Sequence, residues 1–164
     1  MPRPVRHPEI RVFDCHVARE SDGVFEFLLL KRAQGRIYSG DWRMVGGKIE
    51  PNETAWQACL RELKEETQLT PVRLFSVPFI SRFYEWQQDR INDIPVFLAF
   101  TTGEQPILDH EHVDAEWLSS ERAIQRLTWP GQIGGLQAAE ALLRHPSPLL
   151  SHLEIDPALL RGAN

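Results

Sequence analysis

The apolar residues of this chain recur with two different periods, which predict strands and helices in alternation. Short runs rich in Val, Ile, Leu and Phe predict strands at residues 10–18, 24–31, 42–49, 73–84, 94–101 and 115–118, with a polar loop at 87–93. Ser21, Asp22 and Gly23 are turn residues, so the first two strands are expected to form a hairpin. Helical patterns cover residues 119–127 and a stretch from 131 or 134 to 143. This order predicts an α/β or α+β fold with a mixed sheet and helices on both faces.

Size and composition narrow the class of protein. The 164 residues fit one domain, and 42% hydrophobic and 25% charged residues are ordinary for a soluble protein. The net charge of −5 argues against a nucleic-acid polymer as partner. Cys15 and Cys59 each lie in an apolar run and are expected to be buried free thiols. The chain has no apolar stretch long enough to span a membrane and no signal-peptide pattern at its start, so a cytoplasmic protein without membrane contact is expected.

The last part of the chain differs in composition from the rest. Residues 1–145 are predicted to form the domain, and residues 146–164 a tail rich in proline and leucine. Three arrangements of this tail are open: packing on the body, pairing with a second chain in a homodimer, or staying mobile.

A further helix is predicted around residues 55–66, with an apolar arc on one side and an acidic face on the other. The apolar arc consists of Ala55, Trp56, Cys59, Leu60 and Leu63, and the other arc of Arg61, Glu62, Glu65 and Glu66. Glu62 and Glu66 project within about 40° of each other, and carboxylates at this spacing repel. Such a cluster needs a positive partner, and a hard divalent cation takes oxygen ligands.

The residues before this helix complete the pattern. Pro51 and Asn52 precede it, and either Asn52 or Thr54 is expected to cap it. Gly46 and Gly47 follow a short apolar run, and paired glycines let a backbone carbonyl approach a bound ion closely.

The whole segment resembles the conserved box of the MutT/Nudix hydrolases. The matching positions are Gly47, Glu53, Arg61, Glu62, Leu63, Glu65, Glu66 and Leu69. Six fixed residues would coincide by chance in about one of ten million windows. The chain departs from the family at Gln68, where the family has glycine, and at Val45, where many members have proline. Gln68 must either adopt a left-handed conformation at a cost of about 1–2 kcal/mol or let the helix end in another way.

The resemblance implies a fold, a metal site and a reaction. The fold is a Nudix-type α/β/α sandwich with a mixed β-sheet. The metal ligands are Glu62, Glu65, Glu66 and the carbonyl of Gly46 around Mg²⁺, with Mn²⁺ as the alternative. Glu53 joins the metal shell directly or through water, and Arg61 orients the carboxylates by a salt bridge. The reaction is attack of water on a phosphoanhydride, with Glu62 or Glu111 as the general base and Glu116 as the second loop candidate.

The substrate needs cationic and aromatic contacts. Lys48, directly after the glycines, and Arg32, at the end of a strand, are the predicted phosphate-binding residues, whereas Arg36 and Arg82 are more simply explained as surface charges. Trp42 and Tyr84, with Phe83 and Trp86, are the candidate stacking residues, although aromatic residues in strands are more often part of a core.

The rest of the chain resembles bacterial dATP/dihydroneopterin triphosphate pyrophosphohydrolases. The shared features are a Glu-His-x4-Trp-Leu segment from Glu111 to Leu118 and a Leu-x-Trp segment from Leu127 to Trp129. This resemblance implies a pyrophosphohydrolase that acts on a small nucleotide or pterin triphosphate. One alternative is a hydrolase of diadenosine polyphosphates or ADP-sugars, and the other is a non-catalytic regulatory module. The non-catalytic module is disfavoured because the box keeps every carboxylate.

Overall fold

The computed structural model describes residues 8–145 and 148–162. In these residues seven strands and five helices follow one another: β1 Val12–Ser21, β2 Val24–Arg32, β3 Trp42–Arg43, β4 Val45–Lys48, α1 Ala55–Thr67, β5 Arg73–Glu85, β6 Arg90–Phe100, β7 His112–Ser119, α2 Ser120–Arg126, α3 Pro130–Arg144, α4 Pro148–Leu153 and α5 Pro157–Arg161. Helix α1 packs on one face of the sheet, and α2 and α3 pack on the other. The predicted α/β/α arrangement is thereby confirmed. No helix among the described residues is long and apolar enough to cross a membrane.

The sheet is mixed, as predicted. Its main path runs β3-β2-β1-β6-β5, with β4 paired to β1 and β7 to β2. Strands β1 and β6 are parallel, while β1 and β2 form the expected antiparallel hairpin. The central position of β1 matters for the site, because β1 also pairs with the glycine strand β4, with Asp14 opposite Gly46.

The polar loop predicted at 87–93 is wrong in extent. Strand β6 already begins at Arg90. The hairpin formed by β5 and β6 turns tightly at Asp89, whose φ is 47°. The polar residues of this segment are strand residues because they bond across the hairpin: Arg90 and Asn92 both donate to Glu85, at 2.7 and 2.9 Å. Period and composition could not reveal this, because the pairing partners come from the neighbouring strand.

Helix α1 is capped at both ends by residues of its own segment. Thr54 caps its start in a capping box with Gln57. At its end Gln68 adopts the left-handed conformation, with φ at 58°, and its N–H donates to the carbonyl of Lys64. The Thr67 hydroxyl donates to the Leu63 carbonyl and accepts from the Leu69 N–H. The chain therefore makes the family's turn without the family's glycine.

Alternate residues of β1 point into two separate cores. Phe13, Cys15 and Val17 pack against α1, and Cys15 and Cys59 are buried free thiols, as predicted. His16 points to the other side, against Gly135 of α3, and is 1% exposed. Neither ring nitrogen of His16 has a hydrogen-bond partner. Burial therefore lowers the pKa of His16 from 6.5 to about 3.

This burial predicts an acid-sensitive contribution to stability. The unfolded chain takes up a proton at His16 below pH 6.5 while the folded protein does not, so the free energy of unfolding falls as the pH falls toward 3. Between pH 7 and pH 5 we expect His16 to contribute a loss of about 2 kcal/mol. Denaturant unfolding of wild type and His16→Leu at pH 7 and pH 5 gives the change in the free energy of unfolding for each protein. The difference between these two changes measures the contribution of His16. His152→Gln, at an exposed position in α4, is the control, and equal changes for wild type and His16→Leu would contradict the prediction.

The tail packs along the outer strand β5. Glu154 bridges to Phe75, and the Ile155 N–H donates to the Leu74 carbonyl at 2.8 Å. The Glu154 carboxylate accepts two hydrogen bonds from Arg73, both at 2.8 Å. These contacts cover part of a free sheet edge, which otherwise offers unpaired backbone groups to other chains. Residues 146, 147, 163 and 164 lie outside the described residues, and a domain boundary at residue 145 stays a prediction.

Candidate active site

Four carboxylates gather where the end of α1 meets the loop that leads to β7. Glu62 and Glu66 come from the helix, and Asp109 and Glu111 from the loop. The loop is fixed to the helix end by backbone hydrogen bonds from Ile107 N–H to Thr67 and from Asp109 N–H to Glu66, at 2.9 and 3.4 Å. Tertiary structure thus adds two acidic residues to the face of the helix.

Glu66 is the least compensated charge of this cluster. It is 4% exposed, and its Oε2 atom has no hydrogen-bond partner. Burial, and then the negative charges of Glu62, Asp109 and Glu111, raise its pKa to about 9. A buried carboxylate with acidic neighbours fits a cation better than any other ligand. Among the described residues no three acidic, histidine or cysteine side chains meet in a finished coordination shell, so the metal assignment stays a prediction.

Arg61 holds the other carboxylates of the box. It donates to both oxygens of Glu53 at 2.8 and 3.0 Å and to Glu62 at 2.8 Å. Its remaining contacts are the Lys48 carbonyl at 3.0 Å, the more exposed Glu65 at 3.4 Å and Glu50 at 3.9 Å. The hydrogen bond from Arg61 lowers the pKa of Glu53, whereas burial raises that of Glu62 despite the same partner. These contacts agree with the orienting role expected for Arg61.

The two glycines of β4 face opposite sides of the sheet. A methyl group on Gly47 would lie 2.6 Å from the Glu62 carboxyl carbon, so only glycine leaves room for that carboxylate. A methyl group on Gly46 would lie 3.0 Å from the Phe13 carbonyl, on the side of Asp14. The backbone of the predicted metal ligand Gly46 therefore runs directly beside the acidic face of α1.

We expect Gly47→Ala to lower kcat by about 100-fold, because the new methyl group must push the Glu62 carboxylate out of place. Steady-state hydrolysis measured with saturating Mg²⁺ checks this. Gly162→Ala is the matched control, since its methyl group would meet nothing closer than 4.0 Å. A fully active Gly47→Ala protein would show that the position of Glu62 is unimportant.

Cationic side chains face the acidic cluster. Glu111 pairs with Arg32 at 3.6 Å and with Arg36 at 3.4 Å. Arg36, which the sequence left as a surface charge, therefore lies beside the predicted phosphate-binding Arg32. Glu116 pairs with Arg126 at 3.1 Å instead, and Arg82 with Asp93, so neither lies in the cluster. The choice between Glu62 and Glu111 as the base stays open.

A groove of about 880 Å³ opens beside Lys48 and is rich in aromatic side chains. Its aromatic lining consists of Tyr38, Phe83, Tyr84, Trp86 and Trp129. The predicted stacking residue Tyr84 therefore lines the groove. The other predicted stacking residue, Trp42, does not line it, and the Arg126 guanidinium lies 4.5 Å from the Trp42 ring centre. Tyr38 and Trp129 form an edge-to-face pair at 5.8 Å. Sequence reasoning missed this pair, because nothing local places residue 38 beside residue 129.

The fold and this site define a Nudix hydrolase. A family model described as the NUDIX domain matches residues 8–137, and the chain belongs to that family. Similar proteins include the asymmetrical bis(5'-nucleosyl)-tetraphosphatase of Caenorhabditis elegans, 31% identical over 66% of this chain and 78% of that protein. The CTP pyrophosphohydrolase of Escherichia coli is 30% identical over 75% of this chain and 87% of its own. A crystal structure of the C. elegans Ap4A hydrolase in a binary complex superposes with a TM-score of 0.69 at 25% identity, covering 83% and 98% of the two chains.

Proposed function

We propose that this Nudix hydrolase is a Mg²⁺-dependent pyrophosphohydrolase. Its substrate would be a nucleoside triphosphate-like compound of the dATP or dihydroneopterin triphosphate type, and its products the monophosphate and pyrophosphate. The observation that carries the proposal is the buried Glu66 carboxylate, whose Oε2 atom has no hydrogen-bond partner and which lies among the acidic residues Glu62, Asp109 and Glu111. The relative named as a CTP pyrophosphohydrolase supports the same reaction type.

The oxygen donors of the site fit a hard divalent cation. Glu62, Glu65, Glu66 and the Gly46 carbonyl would hold Mg²⁺, or Mn²⁺ in its place, with Glu53 in the same shell. When bound, the ion supplies charge neutralisation for the phosphates and a lower pKa for bound water.

The side chains of the chain itself bind the substrate and move the proton. Arg32 and Arg36 exchange the carboxylate of Glu111 for phosphate oxygens, and Lys48, which lines the groove, adds a third positive charge. Released from these arginines, Glu111 is free to accept a proton from the attacking water, as is Glu62. Arg61 keeps the carboxylates in place.

The aromatic groove accepts the ring of the substrate. Tyr38, Tyr84 and Trp129 offer ring faces and edges within one cavity that also contains Lys48. A heterocycle gains about 1–3 kcal/mol from stacking on such a residue. A small nucleotide or pterin is therefore the expected partner. A homodimer and a cytoplasmic location stay predictions.

Product analysis tests the reaction type. We expect the purified protein with Mg²⁺ to convert a nucleoside triphosphate into monophosphate and pyrophosphate in equal amounts, followed by ³¹P NMR, with no turnover in EDTA. Release of orthophosphate would contradict a pyrophosphohydrolase. Absence of turnover on every triphosphate, dinucleotide and ADP-sugar tested would favour a non-catalytic binding module.

A diadenosine polyphosphate or ADP-sugar hydrolase is the second candidate. It is favoured by the similarity to the C. elegans tetraphosphatase and by Tyr84, which lines the groove. The same NMR experiment separates the two, because a diadenosine substrate gives two nucleotides and no pyrophosphate.

A further inference from the structure

His112 begins strand β7, directly after the loop that contributes to the acidic cluster. The register of β7 on β2 skips Val113, because consecutive residues of β2 pair with Asp114 and then with His112. Val113 is therefore the extra residue of a β-bulge. Its side chain is exposed, whereas the His112 side chain is only 3% exposed. The bulge thus turns His112 inward, and bulges often re-aim a side chain beside an active site.

The buried imidazole of His112 is hydrogen-bonded to the loop. Its Nδ1 atom lies 2.8 Å from Asp109 Oδ1. An ionised carboxylate only accepts hydrogen bonds, so this nitrogen carries the hydrogen and donates it. Asp109 Oδ1 also accepts a hydrogen bond from the Glu111 N–H, at 3.2 Å. One carboxylate oxygen therefore joins the side chain of His112 to the backbone of the candidate base Glu111.

The backbone of Glu111 is fixed on both sides, while its side chain is held more loosely. Its N–H donates to Asp109, and its carbonyl accepts from the Ala33 N–H, just beyond β2, at 2.8 Å. The Glu111 carboxylate meets Arg32 and Arg36 in longer ion pairs, at 3.6 and 3.4 Å. The loop therefore gives a fixed attachment to a carboxylate that has to move from the arginines to the attacking water.

We infer that His112 is a positioning residue for the hydrolysis. Its hydrogen bond to Asp109 keeps the backbone of Glu111 in place, and with it the carboxylate that takes the proton of the attacking water. The inference rests on the proposed function, and it assigns the proton to Glu111 rather than to Glu62. His112 serves the loop as Arg61 serves the carboxylates of the box.

Stability alone is a poor explanation of the contact between His112 and Asp109. Burying an imidazole against a carboxylate removes hydration from both groups, so the net gain in stability is small. Asp109 also places a negative charge near the buried Glu66, which opposes folding. By contrast, a displacement of about 1 Å at a reacting group can cost about 100-fold in rate. Placement of Glu111 is therefore the larger gain from this hydrogen bond.

Two substitutions at His112 separate positioning from packing. His112→Leu fills the site but removes the donor, whereas His112→Asn keeps an N–H at the position of Nδ1 and leaves a space. With Mg²⁺ we expect His112→Leu to lower kcat by about 10- to 100-fold, with KM changed less than about threefold. His112→Asn should retain kcat within about threefold of wild type. His110→Leu, at the exposed histidine on the other side of Glu111, is the matched control and should keep wild-type kcat.

Denaturant unfolding of the same variants shows whether packing accounts for the result. If His112 only fills space, His112→Leu should exceed His112→Asn both in the free energy of unfolding and in kcat, because asparagine leaves a cavity. A positioning role reverses this order for kcat. A kcat of His112→Leu equal to or above that of His112→Asn would overturn the inference.

A double substitution tests whether His112 acts through Glu111. Glu111→Gln removes the base, a group that typically contributes about 100- to 10,000-fold in rate. Adding His112→Leu to Glu111→Gln should lower kcat by less than about a further twofold, because both changes act on the same group. A further loss as large as in the wild-type background would overturn the inference, as would full activity of Glu111→Gln.

The products report separately on the proposed function. The ratio of variant to wild-type kcat can be measured on any phosphoanhydride that the protein cleaves. Cleavage without release of pyrophosphate would contradict the pyrophosphohydrolase and leave the role of His112 standing if the order of the variants holds. Release of pyrophosphate at equal rates by wild type and His112→Leu would overturn the role of His112 alone. Absence of turnover on every anhydride would contradict both.

Discussion

Glu66→Gln is expected to lower kcat of Mg²⁺-dependent hydrolysis by about 1,000-fold. The reason is that Glu66 is the one carboxylate of the box that Arg61 does not hold, and its Oε2 atom is buried without a partner. Neutral glutamine removes a full charge and an anionic oxygen from the place where a divalent ion would supply several kcal/mol of transition-state stabilisation. Initial rates over a range of Mg²⁺ concentrations measure the effect.

Glu104→Gln is the matched control, because Glu104 is an exposed loop acid with the same change in charge. We expect it to retain wild-type kcat and the wild-type dependence on Mg²⁺. Unchanged turnover in Glu66→Gln would defeat its assignment as a metal ligand, whereas a deficit that high Mg²⁺ repairs would place Glu66 in binding the ion rather than in catalysis.

The same substitution is expected to stabilise the metal-free protein. The pKa of Glu66 is about 9 in the folded protein against an ordinary value of 4.5, mainly because of burial and then the charge of Glu62. The folded state therefore holds a proton that the unfolded chain releases between these values, and stability in EDTA falls as the pH rises from about 4.5 to 9. At pH 8 Glu66→Gln should raise the free energy of unfolding by about 2 kcal/mol, and Tm by about 4–8 °C.

Thermal unfolding in EDTA and in Mg²⁺ checks this stability effect. In EDTA the Tm of Glu66→Gln should be higher than that of wild type, whereas the Tm of Glu104→Gln should equal that of wild type. Added Mg²⁺ should raise the Tm of wild type by mass action and leave that of Glu66→Gln nearly unchanged. A variant that is less stable than wild type in EDTA would mean that Glu66 is a structural residue, because its charge would then have a partner in the folded protein.

These opposite expected effects on activity and stability would account for an acidic helix face that opposes folding. The like charges of Glu62 and Glu66 oppose folding, and Arg61 compensates only part of them. Such local instability is expected where a site is built for a cation rather than for its own stability. A surface acidic cluster without a function would be exposed and paired throughout, whereas Glu66 is buried and its Oε2 atom has no hydrogen-bond partner.

The helix and its acidic face could be predicted because they depend on neighbours in the chain. The spacing of Glu62, Glu65 and Glu66 fixes their directions on any α-helix, and Thr54 provides the cap from within the same segment. Strand positions were also predictable from period-two patterns, as β1 and β2 show. Two features that depend on partner strands differed: β6 already begins at Arg90, and the single strand predicted at 42–49 is divided into β3, which pairs with β2, and β4, which pairs with β1.

The amino-acid sequence by itself determined which residues form the acidic face and which family the chain belongs to, because both depend on residue type and local spacing. Only the tertiary structure decided that Glu66 is buried beside Asp109 and Glu111 and that Tyr38 meets Trp129. These encounters join residues far apart in the chain, and burial depends on how sheet and helices pack rather than on local pattern.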